Sequence, residues 1–428
     1  MILTRDRHSP QRTQRTQRKT HTRFALLKSC TPEIFGRFRT GLALCVLCVL
    51  CGERFVRAQE PPAPQAVSAA QLQAAINKLG DLNYAIRTDA SRTVRRTAAA
   101  QAVPALIQTV TDHADGYVRY RALVLLTGFN DPRTKDVMRE ALASPNDRLR
   151  AVAYRYFERA PDPALVPQFL AALDKEMAEF VRPALVRALA AEAADLRVRQ
   201  ALLREVGRGE DFFRSAVIEA LGDHKAAFAF DALTAVAKLD GPLQDDAALA
   251  LGKIGDKRAL ETLAADQRSA PRQVQPSIAA AICLLGINCS SHENYLTETL
   301  RFSDKNLGFQ ELLRGAAAGL AALGVSGHGE AVDALFDIGI PSRDPTRAPV
   351  ALALATVALR ATPLMMTALE RHADRAKALE LLAEGFDMLE EDLDKERFFA
   401  LARRTFWESP DGSPRRALMQ LTIGKLDF

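Results

Sequence analysis

The sequence is poor in aromatic residues and, beyond its first segment, almost free of cysteine. Aromatic residues make up 6% of the 428 residues, and a single one is tryptophan. Of the six cysteines, only Cys283 and Cys289 lie beyond residue 58. This scarcity excludes a small disulfide-stapled scaffold, and it means that the core must be built from aliphatic and small side chains. At 48% hydrophobic residues the chain is too apolar for general disorder.

The common catalytic and ligand-binding motifs are also missing. The sequence contains no HExxH, no EF-hand loop, no GxGxxG, no P-loop and no GxSxG. The histidines after residue 58 are scattered, and His292-Glu293 is the one adjacent His-Glu pair. His328 and Glu330 lie in a Gly-rich stretch that is typical of a loop at a helix end. We therefore predict that the protein is not an enzyme and that it holds no metal and no cofactor.

The excess of positive charge belongs to the first segment alone. Residues 1–58 contain 12 of the 57 Lys and Arg residues and 3 of the 52 Asp and Glu residues, which leaves 45 basic against 49 acidic residues for the rest. An acidic body offers no electrostatic footprint for a phosphate backbone. The sequence therefore predicts no nucleic-acid partner.

Residues 1–58 have the pattern of a secretory leader. A basic stretch precedes the apolar run GLALCVLCVLC at 41–51, which is shorter than the roughly 20 residues needed to span a bilayer. Val56-Arg57-Ala58 supplies a cleavage point before Gln59. We predict export to the periplasm or the secreted space, with a Pro-rich linker at 59–72. The alternative is an uncleaved leader, which would be the chain's sole membrane contact.

Two cysteines remain in the mature chain after such cleavage. Cys283 and Cys289 would be about 9 Å apart on a continuous helix, too far for a disulfide. Pairing in an oxidising compartment therefore requires a turn at 285–288, where Leu-Gly-Ile-Asn offers one. The alternative is two reduced, partly buried thiols.

An internal repeat runs through most of the chain. An apolar anchor recurs with spacings of 32, 31, 32, 32, 30, 31, 38 and 35 residues. After each anchor, apolar residues at +3 or +4, +7 and +8 mark one face of a helix, and a Pro- or Asn-containing break precedes a second apolar helix. The anchors are Ile86, Val118, Leu149, Val181, Phe213, Leu243, Val274 and Leu312, and Arg347 is a weaker ninth position that is not apolar.

Stacked helix pairs are the fold that this repeat predicts. One antiparallel pair cannot bury its apolar face alone, so neighbouring pairs must stack to form a continuous core. We predict an all-α solenoid with a period of about 31 residues and about nine repeats at 73–363, closed by a helical C-terminal cap at 364–428. We expect its concave surface to be lined by the second helices.

The segment QDDAALALGKIGDKRALETL (244–263) resembles a HEAT repeat of the phycobilisome-lyase HEAT-like type. Residues 118–142 and 149–173 resemble it more loosely, and the units after residue 274 depart from it with the insert 289–306. The resemblance implies a helical solenoid. It implies a range of functions that includes scaffolds, adaptors, pigment lyases and a metal hydroxylase.

One position of the repeat carries a column of arginines, each one residue after its anchor. In the structural interpretation each arginine reaches an acid or a carbonyl group of a neighbouring unit and ties the repeats together. In the functional interpretation the guanidinium groups form a row that grips an acidic or extended ligand. The column consists of Arg87, Arg119, Arg150, Arg182 and Arg214, with Gln244 and Gln275 in the next two units.

The C-terminal segment concentrates large aromatic residues behind an acidic patch. Phe398, Phe399, Phe406 and Trp407 follow this patch within one helical pattern. They could close the core as part of the terminal cap that a solenoid needs, or they could form a docking patch for a partner.

Taken together, these features favour a non-catalytic scaffold of the cell envelope or secreted space. Such a protein would bind a partner protein or peptide on its concave face, because stacked repeats form long curved surfaces. Two alternatives stay open: an enzyme or lyase-like accessory protein that acts on a bound protein, and a purely structural element of the envelope.

Overall fold

The computed structural model describes residues 67–389, 392–426 and 428. The predicted leader and residues 59–66 of the predicted linker lie outside these residues. All regular elements in the described part of the chain are helices, twenty-two α-helices and two short 3-10 helices. The linker was predicted too long, because α1 (Ala69–Lys78) begins within it. Ser68 and Gln71 start this helix with a reciprocal capping box, which satisfies two backbone N–H groups.

Nine antiparallel helix pairs follow α1, and the prediction of an all-α solenoid is confirmed. Every predicted anchor lies within the first helix of its pair or immediately before it. The first helices are α2 (Tyr84–Arg96), α4 (Gly116–Thr127), α6 (Asp147–Arg159), α8 (Arg182–Ala191), α10 (Asp211–Asp223), α12 (Gln244–Ile254), α14 (Gln275–Leu284), α16 (Gln310–Val325) and α18 (Arg347–Arg360). The second helices are α3 (Ala99–Asp112), α5 (Thr134–Ala141), α7 (Val166–Leu173), α9 (Leu196–Val206), α11 (Phe230–Ala237), α13 (Ala259–Ser269), α15 (Cys289–Lys305), α17 (Gly329–Gly339) and α19 (Thr362–Arg371).

Short polar side chains begin many of these helices. Asn83, Asp115 and Asn146 each accept a hydrogen bond from a backbone N–H in the first turn of α2, α4 and α6. Each cap satisfies one of the N–H groups that a helix start leaves without an intrahelical partner. The local sequence thus sets where each pair begins, and the stacking of pairs is left to the apolar faces.

The first helices of consecutive pairs pack directly on one another through small residues. At Gly252 in α12 an added Cβ atom would collide with the backbone of Ala281 in α14, and at Gly222 in α10 it would lie 2.8 Å from Cα of Ala250 in α12. Neighbouring first helices therefore approach closely, at the short end of the usual interaxial range. The stack curves towards the layer whose helices are closest together.

This curvature corrects the prediction that the second helices line the concave surface. Arg360 of α18 lies 3.4 Å from Asp223 of α10, although 137 residues separate them in sequence. Both residues belong to first helices, so the first helices of distant repeats face one another across the concave side. The prediction failed because small residues were assigned to the buried core in general and not to one layer of it.

The last three helices complete the described part of the chain. They are α20 (Arg375–Met388), α21 (Asp392–Glu408) and α22 (Pro414–Lys425). Helix α20 packs on α18 as a further first helix, whereas α21 packs on α18 and also on α4 and α6. Leu393 of α21 is part of the same apolar cluster as the core of the early repeats. The chain therefore returns to its first repeats, and α21 covers part of their concave side.

The predicted cap, 364–428, starts inside the ninth repeat, because α19 runs from Thr362 to Arg371.

No single described helix is long and apolar enough to cross a membrane. The pair α18 and α19, bent by 120°, satisfies that requirement only when its two helices are counted together.

Candidate binding groove

The part of the concave side that α21 leaves open forms a groove of about 530 Å³, here called the central groove. All of its lining residues lie on the first helices α10, α12, α16 and α18, except for Met388 at the end of α20. Its apolar lining includes Leu249, Ala318, Ala322 and Leu352. The small side chains of the alanines leave room for a ligand's own apolar groups to approach the helices closely.

A second cavity, of about 490 Å³, continues the central groove past the ends of the first helices. The two cavities share Asp223, Lys253 and Val325. The added part is more polar and includes Ser326 and His328. Together the two cavities form one elongated trough with an apolar middle and a polar end.

An ion-pair network forms one wall where the two cavities meet. The carboxylate of Asp223 accepts hydrogen bonds from Lys253 Nζ at 2.7 Å, from Arg187 at 2.9 Å and from Arg360 at 3.4 Å. Burial alone would raise the pKa of Asp223, but these three cations outweigh it and hold the pKa below its usual value. The network thus keeps a charged carboxylate in place beside the groove.

The same network extends away from the groove to the preceding repeats. Arg187 of α8 also donates to Glu158 Oε1 of α6 at 2.9 Å. Burial would raise the pKa of Glu158, but hydrogen bonding to His224 and the charge of Arg187 lower it to about 2. The first helices α6, α8, α10, α12 and α18 are therefore connected by charge as well as by packing.

A group of acids lies beside the groove on α10 and α12. Ser215 of α10 donates a 2.5 Å hydrogen bond to Asp246 Oδ2 of α12. Burial raises the pKa of Asp246 to about 6, the Ser215 hydrogen bond opposes the rise, and the charges of Asp245 and Glu219 add to it. Since Glu219 also lines the groove, this acidic group gives the groove an anionic edge.

The predicted arginine column lies outside the groove and has a different use. Four of its five members donate to backbone carbonyl groups near the end of the preceding second helix or in the loop before their own helix. These carbonyl groups have no intrahelical partner, and a cation there also complements the helix dipole. The pairs are Arg87 to Asp81 (2.7 Å), Arg119 to Val110 (2.7 Å), Arg150 to Ser144 (2.9 Å) and Arg214 to Val206 (3.0 Å).

The two glutamines that follow in the column act in the same way. Gln244 Nε2 donates to the carbonyl oxygen of Ala237 at 3.0 Å, and Gln275 Nε2 donates to that of Ala270 at 2.9 Å. A side-chain N–H donor, and not a positive charge, is thus the common property of this position. The column ties each repeat to the one before it.

Arg182 is the exception in the column. Its guanidinium carbon lies 3.8 Å from the ring centroid of Phe213 in the next first helix. This is a cation–π contact, and it joins α8 to α10 by stacking where the other members use carbonyl groups.

The C-terminal aromatic residues divide between the core and the surface. Phe398 and Phe406 are buried, each with 1% of its surface exposed. Phe399 is half-buried and stacks on Phe428 with ring centroids 4.0 Å apart. Trp407 keeps 41% of its surface exposed and contacts Phe406 edge-on. The buried pair closes the core around α21, and Trp407 alone offers an exposed aromatic surface.

The predicted cysteine pair lies at the junction of α14 and α15. Cys283 and Cys289 are joined by a disulfide with their Cα atoms 4.1 Å apart. The turn between them uses left-handed backbone at Gly286 and Asn288. His328, which precedes α17, lies with Nδ1 3.7 Å from Cys289 Sγ. Sequence reasoning missed this neighbour, because 39 residues and two helices separate the histidine from the cysteine.

These observations define the class of the protein, an α-solenoid of stacked antiparallel helix pairs. Residues 72–157 and 103–190 match the family model of HEAT repeats. The match is to HEAT repeats in general, and the narrower resemblance to the phycobilisome-lyase type stays a prediction. No curated protein matches the chain in sequence.

Several solved structures resemble the chain at low sequence identity. The E. coli protein YibA is 17% identical over 51% of this chain and 82% of its own, with a TM-score of 0.38. Kap121p bound to Nup53p is 12% identical over 84% of this chain and 45% of its own, with a TM-score of 0.30. A mutant of Kap121p is 12% identical with a TM-score of 0.29. The chain spans less than half the length of Kap121p.

Proposed function

We propose that the protein is a non-catalytic interaction scaffold that holds a partner protein or peptide in the central groove and its polar extension. The observation that carries this proposal is the elongated shape of the trough, which two adjoining cavities form along five first helices. Extended ligands suit such a surface, because successive repeats present successive contacts along one direction.

The polarity of the trough supports a ligand with both apolar and charged groups. Its middle is lined by Ala, Leu and Met side chains, and charged side chains of both signs stand at its edges. Lys253 and Asp223 are held in ion pairs with neighbouring helices, which fixes their positions before a ligand arrives. A pre-organised charged edge reduces the entropic cost of orienting a ligand.

We further propose that the chain is exported and that its leader is removed before Gln59. The support is the leader pattern of residues 1–58 and the acidic balance of the rest.

The alternative function is that of an enzyme or lyase-like accessory protein that modifies a bound partner protein in the same compartment. Asp223, Lys253 and Arg360 in the wall of the groove are engaged with one another, and this favours binding over acid–base chemistry by these groups.

Site-specific photo-crosslinking in the full chain tests the groove as the binding surface. A photoreactive residue replaces Leu352, which lines the groove on α18 and is 39% exposed. The matched control replaces Leu203 on the second helix α9, which is 36% exposed. In envelope extracts we expect one saturable protein adduct from position 352 and none from position 203. Equal labelling from both positions, or no adduct at either, would contradict the proposal.

A further inference from the structure

The strongest unassigned cluster in the structure consists of the two cysteine sulfur atoms and the imidazole of His328. Cys283 lies in the last turn of α14, Cys289 begins α15 and His328 directly precedes α17. One ligand atom from each of the three residues lies within 4.8 Å of the others. Three separate helix ends thus bring two sulfur donors and one nitrogen donor to one point.

The sulfur–nitrogen distance in this cluster agrees with that of two ligands that share one zinc ion. Zinc binds sulfur at about 2.3 Å and nitrogen at about 2.0 Å, and at a tetrahedral angle these lengths place the two ligand atoms about 3.5 Å apart. The observed distance from Cys289 Sγ to His328 Nδ1 is 3.7 Å. Sulfur and imidazole donors together favour zinc over magnesium or calcium.

A half-buried carboxylate, that of Glu293, lies close enough to the cluster for its charge to interact with His328. Glu293 follows Cys289 by four residues on α15 and therefore projects from the same side of the helix. Its Oε1 atom is buried and has no hydrogen-bond partner among the described residues. In zinc sites the ligating histidine usually donates its second ring N–H to a carboxylate, and Glu293 is available for this role.

We propose that the reduced chain binds one zinc ion through Cys283, Cys289 and His328. The disulfide and the metal are mutually exclusive, because each requires both sulfur atoms. A dithiol or phosphine reductant supplies two electrons to the S–S bond and is itself oxidised, and the sulfur atoms take up two protons. Both thiols lose these protons when the metal binds. This inference does not rest on the proposed function of the groove.

The test uses the full chain with the other cysteines replaced by serine, so that two thiols remain. The protein is reduced with a phosphine, kept anaerobic and titrated with Co²⁺, whose thiolate complexes absorb light, and Zn²⁺ is then added as competitor. We expect one Co²⁺ per chain, full displacement by Zn²⁺ and no binding by the oxidised chain. The residues replaced are Cys30, Cys45, Cys48 and Cys51.

Matched histidine variants separate this site from unspecific binding. His328→Asn should weaken Co²⁺ binding at least tenfold and should still fold, because Asn is a favourable residue before a helix. His372→Asn, the same change away from the cysteines, should bind as the parent does. Glu293→Gln should weaken binding by about 10- to 100-fold, as loss of a supporting carboxylate does.

Three results would overturn the proposal. They are the absence of Co²⁺ binding by the reduced chain, undiminished binding by His328→Asn, and binding that persists in the oxidised chain. The circular dichroism of each variant is recorded beside its titration. Should His328→Asn lose its helical signal, the comparison of Glu293→Gln with His372→Asn decides the outcome in its place.

Discussion

At the scale of single residues, the neighbours of a carboxylate decide whether its burial stabilises the fold. Asp223 and Asp246 both lie on first helices beside the groove. Three cations surround Asp223 and lower its pKa, whereas Asp246 has acidic neighbours and a raised pKa. A lowered pKa contributes stability at neutral pH, and a raised pKa in an acid subtracts from it.

Replacement of Asp246 by Asn should therefore stabilise the protein at neutral pH. The folded pKa of about 6 lies above the usual value of 3.8, so the folded state bears a penalty that grows as the pH rises from 3.8 and is complete above 6. Below about pH 3 the side chain is neutral in both states and the penalty vanishes. We expect Asp246→Asn to raise the free energy of unfolding by about 1–2 kcal/mol at pH 7.5 and to change it little at about pH 3.

Denaturant unfolding at the two pH values measures this difference. Asp240→Asn is the matched control, because Asp240 is exposed. It should change stability by less than about 0.5 kcal/mol at either pH. A stabilisation by Asp246→Asn that is the same at both pH values would show that charge is not its cause.

At the scale of the helix and the repeat, sequence predicts what depends on local pattern. The apolar spacing after Val118 or Phe213 identifies a first helix, because helical periodicity is a property of about twelve consecutive residues. The spacing between anchors then counts the pairs. All nine first helices were predicted in this way, including α18, whose anchor Arg347 is not apolar.

Features that depend on distances between remote elements were not predicted. Which layer faces inward depends on small differences in helix separation at contacts such as Gly252 with Ala281. The approach of His328 to Cys289 depends on how three helix ends meet. No local pattern marks either, since the residues involved are ordinary core or loop residues in their own segments.

The close contact at Gly252 gives a prediction for the packing of neighbouring repeats. Gly252→Ala places a methyl group against the backbone of Ala281, so α12 and α14 must move apart. Overpacking of this kind costs about 1–3 kcal/mol. We expect a lower midpoint of thermal unfolding. Gly241→Ala is the control, because no atom lies within 4 Å of its added Cβ, and it should unfold at the parent's temperature or above. Equal midpoints for the two variants would contradict the close packing.

At the scale of the whole described molecule, α21 changes how the solenoid holds together. In an open solenoid each repeat contacts only its neighbours, so stability is a sum of local terms. Here α21 joins the last repeats to α4 and α6. Asp392 accepts hydrogen bonds from Tyr120 at 2.5 Å and from Arg121 at 2.8 Å. The ends of the stack are thereby coupled, and the early repeats lose part of their concave surface to the chain's own helix.

The centre of this closure is a buried ion pair, whose loss should loosen the first repeats selectively. Arg95 and Glu396 form two hydrogen bonds of 2.7 and 2.8 Å, with side chains 8% and 3% exposed. Glu396→Ala leaves Arg95 buried without its partner and should cost about 3–5 kcal/mol. Because Arg95 lies on α2 and α21 also packs on α4 and α6, we expect faster amide hydrogen exchange in α2, α4 and α6 and unchanged exchange in α13. The double variant Arg95→Met with Glu396→Met is the control, since replacing both charges by apolar groups is often close to neutral. Uniformly faster exchange along the whole chain would instead mean that Glu396 supports global stability and that α21 does not close the stack.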